Sequence, residues 1–113
     1  MVKRKYTPER GDIVWVSFNP KKGHEQAGKR PALVLSSKLY NEKSGLILAC
    51  PITSQIKGYP FEVLTKDGKI NGVILSDQVR SLDWKIRKVK FIQKTKGEIF
   101  QQVQEHIIAL LTE

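Results

Sequence analysis

Cysteine is nearly absent from this sequence. Cys50 is the only one, so no disulfide can close within the chain and a reducing compartment is expected. Its setting, Leu46-Ile47-Leu48-Ala49-Cys50, is apolar and suits a small buried thiol. Histidine is almost as scarce: His24 and His106 lie far apart with no cysteine at ligand spacing, so neither a metal site nor a cofactor is expected. No apolar run reaches the length of a membrane span, and the basic N-terminus is not followed by the hydrophobic stretch of an export signal. A cytoplasmic protein without membrane attachment is the expectation. Repeats, low-complexity tracts and linkers are lacking too, so residues 1–113 read as a single domain with a modest core.

Acidic residues are also in short supply. Eleven Asp and Glu face twenty Lys and Arg, for a formal charge of +9. Such an excess suits a polyanionic partner, nucleic acid being the commonest, although a generally basic soluble protein has the same balance. Position narrows this. Lys and Arg vanish from Glu98 to Glu113, and the basic residues concentrate at Lys3-Arg4-Lys5, at Lys21, Lys22, Lys29 and Arg30, and along Lys85 to Lys96. A polyanion is therefore expected to meet the chain upstream of its C-terminal segment.

What is present reads as short strands and one clear helix. Asp12–Phe18, Pro31–Leu35 and Leu46–Ile52 are rich in β-branched or aliphatic residues and apolar on both faces, as buried strands are. Phe61–Thr65 alternates and precedes an Asp67-Gly68 turn; Val73–Leu75 and Val89–Ile92 complete about six strands. A serine cap within Ser36–Glu42 predicts a single helical turn. Ile99, Val103, Ile107 and Leu110 recur at helical spacing, with Thr95 and Glu98 at capping-box spacing, predicting a C-terminal helix of about 15 residues. Its stripe must pack on the sheet or on another subunit. The pattern is mainly β with α, an α+β fold built on a small barrel or strongly bent sheet. Trp15 and Trp84 are expected in the core.

The loop from Asn19 to Lys29 stands apart, with two glycines, three lysines and the cluster His24-Glu25-Gln26. Such a loop is either an idle hairpin tip or a ligand-approaching segment. RNA carries its own nucleophile, the 2′-hydroxyl. Cutting it takes a base for that proton, an acid for the leaving 5′-oxygen and positive charge at the phosphorane. His24 or Glu25 can serve as base, and Arg30, with its planar fork, as phosphate clamp and proton donor.

Longer motifs carry a resemblance. Gly11-Asp12-Ile13-Val14-Trp15-Val16, Asn19-Pro20, Gly23-His24-Glu25-Gln26-Ala27-Gly28-Lys29-Arg30-Pro31 and Tyr40-Asn41 resemble the MazF/PemK/Kid family of toxin endoribonucleases. So do Pro51-Ile52-Thr53-Ser54, Lys57-Gly58-Tyr59-Pro60-Phe61 and Gly72 through Val79, the closest likeness being to the MazF branch. The resemblance implies an SH3-like barrel of six or seven strands, with one or two short helices and a C-terminal helix. It also implies a homodimer that cleaves single-stranded mRNA selectively, without metal, leaving 2′,3′-cyclic phosphate and 5′-hydroxyl ends. Translation and growth would stop, and a cognate acidic antitoxin would cover the RNA groove with a partly disordered segment.

Carried over singly, Arg30 falls at the family's catalytic arginine and Thr53 at its catalytic threonine, whose hydroxyl can bond a phosphate oxygen or merely its own backbone. Glu25 matches the loop glutamate, a proton acceptor or RNA-positioning group. His24 is shared with the Kid/PemK branch, where the MazF branch commonly has a small polar residue; which of the two takes the proton stays open. Leu75 stands where the Kid type has a second arginine, which puts the main cationic role on Arg30 and leaves that of Asp77 in doubt. Gln26, Lys29, Lys57, Tyr59, Asp77 and Gln78 are the candidate RNA-binding residues, Gln78 for a base edge and Tyr59 for stacking. Phe61 is expected in the core. The basic run Lys85 to Lys96 fits an RNA groove or the wet face of an edge strand equally well. Two rivals do not cut: a gyrase poison of CcdB type, which lacks the Arg30 and Thr53 motifs, and a plain RNA-binding module.

Overall fold

Three strands whose residues are apolar on both faces make the middle of the molecule. The computed structural model describes residues 5–17 and 28–113, residue 67 by its backbone only. Strand β1 (Asp12–Ser17) pairs antiparallel with β2 (Lys29–Val34), and β2 with β3 (Leu46–Thr53). Successive side chains on a strand point to opposite faces. Ile13, Leu33, Cys50 and Ile52 accordingly enter one core cluster, while Val14, Val16, Ala32, Val34, Ile47 and Ala49 enter another. The buried Cys50 is the thiol expected from its neighbours.

Strands β4 (Glu62–Asp67) and β5 (Ile70–Leu75) form a hairpin around Gly68; β6 (Arg80–Asp83) and β7 (Lys90–Lys94) follow. Among the described residues the sheet runs β4-β5-β3-β2-β1-β7, with β6 also on β3. One edge of β3 is shared: Leu46–Ala49 pair with β6, while Ile52 and Thr53 pair with β5. A strand that serves two neighbours on one side bends the sheet, and the result is a curled antiparallel half-barrel, with two full helices among the described residues. Strand β6 was not expected, because Arg80-Ser81-Leu82-Asp83 contains a single apolar residue and owes its extended form to β3.

The short helix α1 (Lys38–Ser44) exceeds the expected single turn; Ser37 caps it by accepting from the Tyr40 N–H, and Gly45 ends it. Helix α2 (Gly97–Thr112) lays Ile99, Phe100, Val103 and Ile107 on the first core cluster. One expectation fails here. Thr95 and Glu98 form no capping box: Lys96 is the N-cap, and the Thr95 N–H is committed to the Gly11 carbonyl, 2.8 Å, so the helix starts one residue late. Of the expected stripe, Leu110 does not reach the first core cluster and is exposed with Ile108 and Leu111, so the sheet covers the stripe only as far as Ile107.

Trp15 also departs from expectation. It shares the face of Ile13 but lies beyond the cover of α2 and is 39% exposed, whereas Trp84 packs on the second cluster as expected. The basic run divides: Lys85 to Lys88 lie in the turn before β7, not on an edge strand, while Lys90 and Lys94 lie on β7, the end of the sheet order among the described residues. Lys94 in that run is structural: its ammonium reaches buried Asp12 and exposed Glu9, each at 2.6 Å. Burial alone lowers the Lys94 pKa, but the bonds and charges of Asp12 and Glu9 outweigh it and hold the group above its ordinary value.

Candidate active site

The β2–β3 register determines what faces what. The ladder ends at Ala32 and Pro51, and Arg30 and Thr53 lie two residues beyond that pair on their respective strands. Pro31 helps locally, since a residue before proline is confined to extended backbone. Arg30 and Thr53 line a cleft of about 410 Å³ with Ser54, Gln55 and Asn71. They also line an adjoining hollow of about 280 Å³ with Lys57, Tyr59, Glu62 and Gln78. The arginine and threonine thus stand where two arms of one depression meet.

Thr53 is half-buried at the end of β3, and its Oγ1 accepts the Gln55 N–H at 3.2 Å. The backbone bond considered for this hydroxyl is therefore real, yet it uses only a lone pair. The hydroxyl proton stays available to an incoming oxygen. Beside it, the exposed Arg30 guanidinium offers several donors in a plane, the arrangement that suits phosphate.

The second arm is held by a residue that sequence reasoning passed over. The Glu62 carboxylate accepts the N–H groups of Lys57 (3.3 Å) and Gly58 (2.9 Å), and the Glu62 N–H donates to the Tyr59 carbonyl at 3.1 Å. Gly58 has φ +82°, a conformation that a β-carbon disfavours. The lone acidic residue in a basic, glycine-bearing loop was the available signal. Tyr59 and Phe61 stack with ring centroids 5.4 Å apart. Phe61 is only half-buried and lines the hollow, not the core, because its ring is drawn outward onto Tyr59. Behind it, buried Ser76 donates to the Phe61 carbonyl and sits 3.3 Å from His106 Nδ1, tying α2 to the floor of the site.

The remaining candidates divide. Lys57, Tyr59 and Gln78 line the second arm. Lys29 is exposed beside Arg30 but lines neither arm, and neither does exposed Asp77. Asp77 does act at a distance: burial first, then its charge, push the Cys50 thiol up to about 12. His24, Glu25 and Gln26 lie outside the described residues. Asn41, from the Tyr40-Asn41 motif, belongs to the scaffold. It is fully buried, its amide donates to the Pro8 (2.8 Å) and Ser36 (3.2 Å) carbonyls, and it accepts the Ser36 hydroxyl at 2.5 Å.

Residues 9–111 match the family described as the PemK-like, MazF-like toxin of type II toxin-antitoxin systems. Over 87 residues the chain is 54% identical to the endoribonuclease toxin MazF of Escherichia coli (strain K12), covering 77% of this chain and 78% of that protein. Over 100 residues it is 40% identical to the endoribonuclease toxin ChpB of the same strain, covering 83% and 85%. The fold is similar to the crystal structure of MazF from Deinococcus radiodurans, with TM-score 0.86, 44% identity, and 96% of this chain and 100% of that one covered. A MazE-MazF complex from the same organism matches with TM-score 0.84 and 41% identity, over 95% and 97%.

Proposed function

The chain belongs to the PemK-like, MazF-like toxins and is an endoribonuclease toxin of a toxin–antitoxin system; from that premise we propose that the Arg30–Thr53 cleft is where it cuts single-stranded mRNA. The whole chain, 1–113, acts as one toxin domain. In the reaction the 2′-oxygen attacks the adjacent phosphorus, the bond from phosphorus to the 5′-oxygen breaks, and the products are a 2′,3′-cyclic phosphate and a 5′-hydroxyl. No metal is needed in this scheme. Arg30 neutralises the crowded phosphorane, and the Thr53 hydroxyl donates to a non-bridging oxygen. His24 or Glu25 removes the 2′-proton, and Arg30 stands where it can return one to the 5′-oxygen. Lys57 steers the strand, Tyr59 stacks a base and Gln78 reads a base edge.

One observation carries this reading: Arg30 and Thr53, brought in from different strands, line both arms of the same depression. Incubation of RNA with the protein in EDTA tests it. Cleavage with cyclic-phosphate ends, lost in Arg30→Ala while the fold persists, is the expected result. Unchanged cleavage by Arg30→Ala would place the chemistry elsewhere.

Solved MazE–MazF complexes support an acidic antitoxin as the protein partner, since a positive cleft that admits RNA also admits an acidic segment. Homodimer formation is supported by Ile108, Leu110 and Leu111, exposed together at the end of α2. No described helix is long and apolar enough to cross a membrane; the reading includes action in the cytoplasm, where mRNA is met.

A further inference from the structure

The turn between β6 and β7 carries features that the cleft does not use. Lys85 and Lys88 project from it, and with Lys5, Glu42 and Trp84 they line a groove of about 580 Å³. None of the residues lining this groove lines the Arg30–Thr53 depression. The turn is firmly built. The Asp83 carboxylate accepts the N–H groups of Lys85 and Ile86, each at 3.0 Å, and its carbonyl accepts that of Arg87 at 3.1 Å. The Lys88 N–H donates to the Lys85 carbonyl at 3.2 Å, and the Val89 N–H to that of Trp84 at 3.2 Å. These bonds fix where both lysines leave the backbone.

Lys88 is the more telling of the two. Its φ of +50° is the left-handed region, and among the described residues it is the only non-glycine there. Glycine would sit in this position without cost; a lysine in its place carries a strain that a use for its side chain would offset. Trp84 supplies the second element. Its indole N–H donates to the Asn41 carbonyl at 2.8 Å, which holds the ring still, and the Lys85 ammonium lies 5.5 Å from the ring centroid. A fixed aromatic beside compact positive charges is how proteins hold an unpaired nucleic-acid strand without reading it. Glu42 is the one acidic residue in the groove and is outnumbered by three lysines.

The turn that carries the lysines is also tied to the sheet. Arg87 Nη1 donates to the Ser17 carbonyl at 3.0 Å, and the Ser17 N–H donates to the Arg87 carbonyl at 3.3 Å. Ser17 pairs with Lys29, the neighbour of Arg30. These bonds tie the turn to strands β1 and β2.

We propose that this groove is an exosite for the sugar–phosphate backbone of single-stranded RNA, holding the strand outside the cleft with Lys5, Lys85 and Lys88 on phosphates. It rests on the reading of the Arg30–Thr53 cleft as the cutting site. The exosite adds affinity for long strands and leaves the chemical step alone.

The test compares the wild type with the double variant Lys85→Gln/Lys88→Gly, on a long transcript and on a short oligonucleotide cut from around one of its cleavage sites. Lys88→Gly removes charge and backbone strain together, so the variant keeps or gains thermal stability. On the long transcript KM rises several-fold with kcat unchanged, and the slope of log affinity against log salt shrinks by about 1.4. On the oligonucleotide neither constant changes. Glu42→Gln, which removes the opposing charge, tightens binding of the long transcript. Equal KM and equal salt slope for variant and wild type on the long transcript overturn the exosite. So does a variant that binds RNA normally but has lost affinity for poly-L-glutamate, which marks a protein-binding groove instead. Failure of the wild type to cut either substrate condemns the reading of the cleft, a different outcome from both.

Discussion

Gly72 on β5 lies against the carbonyl of Thr53: a β-carbon built on residue 72 falls 2.3 Å from the Thr53 oxygen and 2.9 Å from its carbonyl carbon. Both neighbours are backbone, so no side chain can swing aside to relieve the contact. The place of the threonine at the junction of the two arms therefore depends on a side chain that is missing from the next strand. Gly72→Ala is expected to force β5 away from the end of β3, costing about 1–3 kcal/mol of stability. It should lower cleavage even well below its melting temperature, which thermal unfolding and single-turnover cleavage would show together.

Thr53 itself separates two roles. Thr53→Val keeps the shape, removes the hydroxyl proton and strands the Gln55 N–H, while Thr53→Ser keeps both functions. The valine variant should lose on the order of 10²-fold in kcat and about 1 kcal/mol of stability, and the serine variant should retain most activity. Equal rates for the two would assign the hydroxyl to the strand end alone.

Asn41 predicts the opposite profile. Asn41→Ala leaves the Pro8 and Ser36 carbonyls without the amide donor and the Ser36 hydroxyl proton without its acceptor, for a loss of about 3 kcal/mol. No atom of Asn41 lines the cleft. At temperatures where the variant is folded, its kcat should equal that of the wild type, and only the melting curve should move.

The buried thiol gives a pH signature. Cys50 is pushed from 9.0 to about 12, so the folded state keeps a proton that the unfolded state releases in between. Folding stability is thus undiminished by this group below pH 9.0 and falls as pH rises from there toward about 12. Cys50→Ala should lack this alkaline limb. In the native wild type the thiol should resist alkylation at pH 8 and react only on unfolding.

Much of this fold was legible because β1, β2 and β3 are covered on both faces, and unbroken apolar runs record that directly. Helix α2 was legible through its period up to Ile107. Leu110 continues the same stripe, but whether a sheet lies beneath it is a tertiary fact. The same holds for Trp15 and Phe61, whose chemistry suits a core and whose exposure is decided by where α2 ends and where Tyr59 lies. Strand β6 left little trace because its pairing, not its composition, makes it extended. At the candidate site, Arg30 and Thr53 stood out through motifs, whereas their lining of one depression needed the fold. Glu62 was missed since its work is to hold backbone N–H groups, which no side-chain pattern announces. Asn41 sat in a motif that marked it as notable without distinguishing scaffold from site.

The divided edge of β3 has a consequence for the order of events during synthesis. Its N-terminal half can gain only β2 until β6 has been made, and its last two residues wait for β5. The depression around Thr53 draws residues from Arg30 through Gln78. Most of the chain must therefore have been made before that depression exists. A growing chain cannot present it, so anything that binds there has to wait for a nearly complete molecule.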